Sequence, residues 1–351
     1  MPEDSELSWV AGLPRCATSF RVSVLRTSRS KQQHESCVGS GHLKKGGGVT
    51  MYAIIGASGN TGGVIAGKLL AHGGKVRVIG RDAKRLERLV QKGADAFVAD
   101  VGDAASLTKA FSGAKAVYLM IPPNPAIPNV REDQERVSDA LVAAVQKAGV
   151  EYAVVLSSIG ADKPDKTGPV VGLHNLEQKL NGVASLKAVY LRAGYFMENL
   201  LPQVGIIRNF GVMGGPLRGD LKVAMIATRD IGAAAAGALL KLEFSGKQAR
   251  ELLGQRDLTY QEVASLIGKA IGRPDLGYMQ LGPAQIKPAL AQVGMSSNMA
   301  DLLLEMSESL NSGYMAPLEL RSAQNTTSTR IETFVAEQFL PRFTGKAAGA
   351  S

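Results

Sequence analysis

The short run Tyr52-Ala-Ile-Ile55 is followed at once by Gly56-Ala-Ser-Gly-Asn-Thr-Gly-Gly63 and then by the apolar Val64-Ile-Ala-Gly-Lys-Leu-Leu70. No other feature restricts the fold of this chain as much. It reads as a strand, a glycine-cornered turn and a helix that ends at Gly73-Gly74. A helix that follows a strand so closely carries the chain back across a parallel sheet, so the unit is α/β. Glycines at 56, 59 and 62 permit a sharp bend and a close backbone approach. The helix start adds unpaired N–H groups and the positive end of its dipole. Together these suit a pyrophosphate. The expected contacts are Gly56, Ala57, Ser58, Gly59, Asn60, Thr61 and Gly62.

A glycine triplet alone is ordinary punctuation, and here the downstream pattern gives it meaning. Lys75-Val-Arg-Val-Ile79 reads as a second strand ending in Gly80-Arg81-Asp82. In a dinucleotide fold the residue at this strand end, about 20 positions past the glycines, meets the adenosine ribose. An acid there accepts from the ribose hydroxyls, whereas a guanidinium pairs with a 2′-phosphate. Arg81 stands at that place, with Lys84 and Arg85 close behind. NADP(H) is therefore the preferred ligand, and NAD(H), through Asp82, is the alternative. The bland readings are a solvated Arg81 and an Asp82 that only caps a helix.

Further strands follow at Ala96–Ala99, Ala116–Ile121, Tyr152–Leu156 and Leu186–Leu191, with a long helix over Val137–Ala148. Strands separated by helices predict a Rossmann-type, doubly wound parallel sheet, with ligands beyond the carboxyl ends of the strands. Asp100, Met120, Pro122, Ser157, Ser158 and Tyr195 fall at those ends and are expected to line one crevice.

Composition removes several alternatives. Both cysteines, Cys16 and Cys37, precede Met51, so the main body has no thiolate nucleophile, disulfide framework or zinc–thiolate site, and a reducing cytoplasm is the expected location. Only His72 and His174 fall in that body, which excludes a His-rich metal site. The net charge of +9 is diffuse, with no basic stripe interleaved with aromatics, so no direct nucleic-acid contact is expected. The apolar stretch Ile231–Leu242 is far short of a membrane span.

Residues 1–50 differ from the rest, with Arg/Ser clusters, a Lys44-Lys-Gly-Gly-Gly48 end and no strand or helix period. They read as a disordered extension. An organelle transit peptide is the less favoured alternative, because Glu3, Asp4 and Glu6 count against it. Residues 346–351 read as a disordered tail.

Taken together, Gly56–Gly63, Val76-Arg-Val-Ile-Gly-Arg-Asp82, Gly93–Asp100, Leu191-Arg-Ala-Gly-Tyr-Phe-Met-Glu-Asn199, Thr228-Arg-Asp-Ile231 and Leu258–Ala264 resemble the NmrA-like branch of the atypical short-chain dehydrogenase/reductases. The resemblance covers nearly all of residues 51–345. It implies a Rossmann domain with a smaller C-terminal substrate lobe and binding of NADP(H). It also implies either reduction of quinones or azo dyes, or a redox-sensing regulatory role without catalysis. The expected division is a nucleotide-binding domain over 51–199, with 223–245 returning to it, and a smaller lobe over 200–222 and 246–345.

The wider superfamily uses a tyrosine four residues before a lysine as its acid. None of the eight tyrosines here has a lysine at that spacing. Reducing a simple ketone leaves an alkoxide-like oxygen that needs a positioned proton donor. A quinone spreads the charge over its ring, so hydride delivery with solvent protonation suffices. The missing pair therefore disfavours ordinary alcohol dehydrogenation. It points to an NADPH-dependent reductase of quinones or similar conjugated small molecules, with a non-catalytic NADP(H)-sensing protein as the alternative. His174 and Tyr195 are the catalytic candidates, and His174 reads equally as a helix-surface side chain. A homo-oligomer is compatible with the sequence. In the second lobe Asp230 is the expected cap of a helix, and Thr259-Tyr-Gln-Glu262 fits a capping box. The Met/Leu stripe over 283–310 reads as core, with Met295 and Met299 offering a pliable substrate wall.

Overall fold

The computed structural model describes residues 50–345. The expectations for the leading segment, its two cysteines and the C-terminal tail lie outside the described residues.

Strands and helices alternate through the first part of the chain. They run β1 (Met51–Ile55), α1 (Asn60–Ala71), β2 (Lys75–Gly80), α2 (Glu87–Val90), β3 (Asp95–Val98), α3 (Ala104–Phe111), β4 (Ala116–Leu119), α4 (Val130–Ala148), β5 (Tyr152–Ser158), α5 (Val170–Asn181) and β6 (Lys187–Ala193). The second part is more mixed: β7 (Tyr195–Phe196), α6 (Gln203–Phe210), β8 (Met213–Gly215), β9 (Val223–Ile226), α7 (Thr228–Lys241), β10 (Lys247–Leu252), β11 (Asp257–Leu258), α8 (Tyr260–Ala270) and β12 (Tyr278–Gln280). The chain closes with α9 (Pro283–Gln292), α10 (Ser297–Asn311), α11 (Ile331–Phe334) and α12 (Leu340–Thr344).

Seven strands form one sheet in the order β10-β6-β5-β4-β1-β2-β3, every pair parallel. This is the doubly wound sheet the alternation predicts. Such a sheet is covered on both faces, which is why β1 and β4 read as unbroken apolar runs rather than alternating ones. One face packs Ile54, Val78 and Tyr118 against Ile65 and Leu69 of α1 and Ile231 and Leu239 of α7. The other packs Ala53, Ile55 and Val117 against Phe111 of α3, Leu141 of α4 and Leu176 of α5. Neighbouring residues of one strand thus serve opposite layers.

α4 begins seven residues before the expected Val137, because Asn129 caps it through its side-chain oxygen, which accepts from the Glu132 amide at 3.3 Å. The apolar period is hidden there by the charged run Arg131–Glu135. The smaller lobe has its own core, including Met197, Ile207, Met225, Tyr260, Ile267 and Phe334.

Two boundaries differ from the sequence expectation. β10, assigned to the second lobe, pairs with β6 at the edge of the large sheet. Its Ala249 and Arg250 are both exposed, as suits an edge strand, so it lacks the apolar run that marks a central strand. β9, expected to return to the nucleotide-binding domain, lies between β11 and β7 in a separate three-stranded sheet, and only α7 after it packs on the large sheet. Among the described residues no helix is long and apolar enough to cross a membrane.

Candidate functional site

β1 ends at Ile55, and the chain turns at Gly56 with φ of +66°, a conformation that disfavours any side chain. The Gly59 amide donates to the Gly56 carbonyl at 2.9 Å and closes the bend. α1 then starts with Gly59 at its cap, no side-chain cap and no acid in its first turn. Among the described residues the first amides of the helix therefore have no partner, and no acid compensates the positive dipole end. A Cβ at Gly62 would lie 2.7 Å from the Gly56 carbonyl carbon and 2.9 Å from Ala57 Cα. The bend folds directly onto the helix start, and nothing larger than hydrogen fits between them.

Of the predicted pyrophosphate contacts, Gly56, Ser58, Gly59 and Asn60 are accessible, whereas Ala57, Thr61 and Gly62 are buried behind the bend. The Thr61 hydroxyl is not offered to a ligand. It accepts from the Tyr118 hydroxyl at 3.0 Å in the core, where burial pushes the Tyr118 phenol far above its ordinary pKa. Thr61 thus ties α1 to β4.

At the end of β2, Arg81 is exposed, and no partner engages its guanidinium among the described residues. Asp82 is occupied locally, accepting from the Lys84 amide at 2.9 Å. Asp100 is turned into its own loop, where it accepts from the Gly102 amide at 2.7 Å and lies 3.7 Å from the Arg136 guanidinium. It closes the β3–α3 loop instead of facing the bend.

Beyond the carboxyl ends of β4, β5 and β6 lies a cavity of about 500 Å³. Its sheet side is built from Met120–Pro123, Leu156–Ile159 and Gly194–Phe196. α10 covers it with Met299, Leu303 and Met306, and the segment after α10 adds Met315, Ala316 and Pro317. Met120 joins the two regions: it lines the cavity, and its sulfur would lie 2.5 Å from a Cβ placed on Gly56. The glycine bend and the cavity are therefore neighbours along one sheet edge.

Of the sequence candidates, Met120, Pro122, Ser157, Ser158 and Tyr195 line this cavity. Ser157 donates to Glu177 Oε1 at 2.5 Å, and Glu177 is itself paired with the Arg192 guanidinium at 2.6 Å. Ser158 donates to the Ile159 carbonyl at 3.0 Å. His174 is not among the lining residues. Its Nδ1 donates to the Ala161 carbonyl at 2.9 Å, so the imidazole holds the loop after β5. Tyr195 does line the cavity. Burial raises its phenol pKa, so it stays protonated at neutral pH.

Sequence reasoning missed Glu177 and Arg192, whose pairing depends on the register of α5 against β6, and Tyr260, which arrives from the second lobe. It assigned Met306 to the core stripe, although Met306 faces the cavity together with Met299, while Met295 packs in the adjoining cluster. Helical spacing finds the stripe but not the gap beneath it.

Comparison with known proteins places this geometry in context. The NAD(P)H azoreductase of Xenophilus azovorans is 29% identical over 81% of this chain and 95% of its own length. Quinone oxidoreductase 2 of Escherichia coli is 29% identical over 73% of this chain and 86% of its own length. The solved structure of the Escherichia coli NADPH-dependent quinone oxidoreductase complexed with NADPH superposes with a TM-score of 0.66, at 24% identity, over 86% of this chain and 96% of that one. The model of the NmrA-like family matches residues 50–338, and with that span accounted for, the chain belongs to the NmrA-like family.

Proposed function

We propose that the protein is an NADPH-dependent reductase of quinones or similarly conjugated small molecules. The observation that carries the reading is the adjacency of a glycine bend on an uncapped helix start and an apolar cavity of about 500 Å³, bridged by Met120. The azoreductase and quinone oxidoreductase relatives support it through their own reactions.

In this reading the unpaired amides at the start of α1, from Asn60 onward, hold the pyrophosphate, and Arg81 pairs with the 2′-phosphate. The bound nicotinamide supplies a hydride. The chain's own residues orient the acceptor and exclude water. The carboxyl edge presents Met120 and Pro122 as an apolar floor, and the methionines of α10 adapt to flat rings of varied outline. Ser157 and Ser158 have their protons committed to Glu177 and Ile159, so each offers only oxygen lone pairs to a ligand. No side chain of the cavity is set up as a strong acid, which suits an acceptor whose reduced form is stabilised by its own conjugation. The cysteine-free body fits a reducing compartment such as the cytoplasm.

Steady-state NADPH oxidation against a panel of quinones and azo dyes tests the proposal, with an acceptor-dependent rate expected for at least the bicyclic quinones. NADPH consumption indifferent to every acceptor on the panel would defeat it.

A further inference from the structure

Ser157 and Arg192 are direct partners across β5 and β6, so their side chains leave the same face of the sheet. α5 covers that face, and its Glu177 closes a buried cluster there. The Arg192 guanidinium donates to the Glu177 carboxylate through Nε at 3.1 Å and Nη2 at 2.6 Å, and Ser157 Oγ lies 2.5 Å from Glu177 Oε1. A carboxylate held in a guanidinium fork is ionised and only accepts. The hydrogen between the two side chains therefore belongs to Ser157.

Ser157 stands where this cluster meets the cavity. Val170 and Leu173 of α5 line the cavity, and Glu177 follows Leu173 by one turn on the same helix face. Ser157 thus has Glu177 on one side and the cavity on the other: its proton goes to the first, and its lone pairs remain for the second. Ser158 has the same sense, donating to the Ile159 carbonyl at 3.0 Å. The Gln134 amide nitrogen is spent on the Pro169 carbonyl at 2.8 Å, and Asp133 is held by Arg136 at 2.7 Å. The other polar side chains of the lining impose no such sense. The Tyr195 hydroxyl and the Asn124 and Asn199 amides can each give or accept, and Lys222 stands exposed.

We propose that Ser157 determines specificity as a hydrogen-bond acceptor, taking an O–H or N–H from the ring system bound in the cavity, and that Glu177, held by Arg192, is a positioning residue that fixes this sense. A carbonyl oxygen set against Ser157 would face lone pairs with lone pairs. A phenol or aryl amine would complete a chain from ring to Ser157 to Glu177, each link polarising the next. The inference rests on the reductase reading and deepens it: the favoured substrates carry a hydroxyl or amino group beside their conjugated carbonyl or azo group. It also implies a firmer hold on product than on substrate at this point. A quinone that takes up a hydride and a solvent proton presents O–H where it had C=O.

The test measures binding without nucleotide, by calorimetry with full-length protein, using 1-naphthol and 1-acetylnaphthalene. Both are bicyclic, but only the first can donate. Removing one neutral hydrogen bond is worth roughly three- to tenfold in affinity. Ser157→Ala leaves the Glu177–Arg192 pair in place and is expected to weaken 1-naphthol by about that factor while leaving 1-acetylnaphthalene unchanged. In Glu177→Gln the guanidinium claims the amide oxygen, so the amide nitrogen donates to Ser157 and releases its proton toward the cavity. The expected result is weaker 1-naphthol binding with stronger 1-acetylnaphthalene binding, an inversion that lost packing does not produce. If that variant does not fold, Ser157→Ala decides alone. Equal losses for both probes in Ser157→Ala, a loss confined to 1-acetylnaphthalene, unchanged 1-naphthol binding, or no 1-naphthol binding by the wild type would each overturn the inference. Selective loss beside NADPH oxidation that ignores every quinone and azo dye would leave the Ser157 assignment standing and remove the reductase reading. Quinone-dependent NADPH oxidation without selective loss would do the reverse.

Discussion

A methyl group at position 62 would have to displace backbone, because its nearest neighbours are the Gly56 carbonyl and Ala57 Cα rather than a side chain that can turn away. Gly62→Ala is therefore expected to destabilise the protein by about 1–3 kcal/mol through forced backbone shifts. It should also abolish the thermal stabilisation that NADPH confers, and a melting curve with and without NADPH reads both effects. Arg81 has the opposite character: exposed and unpartnered, it contributes nothing to folding that the structure displays. Arg81→Ala should leave the melting temperature of the free protein in place while removing most of the preference for NADPH over NADH, a change of roughly tenfold or more for a lost charge-assisted pair. Equal thermal shifts for the two nucleotides in the wild type would reverse the NADP assignment. At this scale the glycines were legible because their requirement is local, one bend within eight residues. Thr61, Ser157 and His174 were not, because whether a hydroxyl or imidazole faces a ligand depends on Tyr118, Glu177 or the Ala161 carbonyl. Those partners stand on other elements, and nothing in the local sequence announces them.

Element boundaries repeat that contrast. The capping box of α8 was readable, since Thr259 and Glu262 satisfy each other within a single turn, with Thr259 Oγ1 accepting at 3.1 Å and the Thr259 amide donating at 2.7 Å. The start of α7 was not. Asp230, expected as its cap, accepts instead from the amide and hydroxyl of Thr329, and so ties the helix to the chain entering α11. The cap comes from Glu198, 30 residues upstream, whose carboxylate accepts from the Thr228 amide at 3.1 Å and from its hydroxyl at 2.6 Å. This explains a physical demand behind the Met197-Glu-Asn199 motif: an acid there compensates the dipole of a helix that packs on α1 and so supports the glycine bend. Glu198→Ala is expected to cost about 1 kcal/mol of stability, within the range for lost N-caps, with Glu198→Gln intermediate. Urea denaturation monitored by circular dichroism gives the difference. A loss near zero would mean that water replaces the carboxylate without penalty.

Across the whole molecule, the proposed nucleotide and acceptor ends are built from different parts of one sheet. β2 carries Arg81 beyond its end, while β10 carries Glu251, a buried carboxylate that accepts from the Leu318 amide at 2.9 Å and the Glu319 amide at 3.0 Å. Those amides belong to the segment whose Met315, Ala316 and Pro317 roof the cavity, so an edge strand of the large sheet holds the cavity's cover. The sequence concealed this arrangement because β10 looks like part of the second lobe and the roof has no periodic pattern. Glu251→Ala leaves two amides without their partner and should destabilise the protein by about 2 kcal/mol. Its functional signature is a several-fold rise in the acceptor KM with the NADPH dissociation constant unchanged, the mirror image of Arg81→Ala. Five strand spacings separate β2 from β10, about 24 Å at roughly 4.8 Å each. Sites that far apart with no shared partner add to within about 0.5 kcal/mol. The Arg81→Ala/Glu251→Ala double variant should therefore show the two defects side by side, each at its single-variant size, in steady-state titrations of NADPH and quinone. A coupling well above that figure would mean that the roof closes only over bound nucleotide, and that the two ends act as one site.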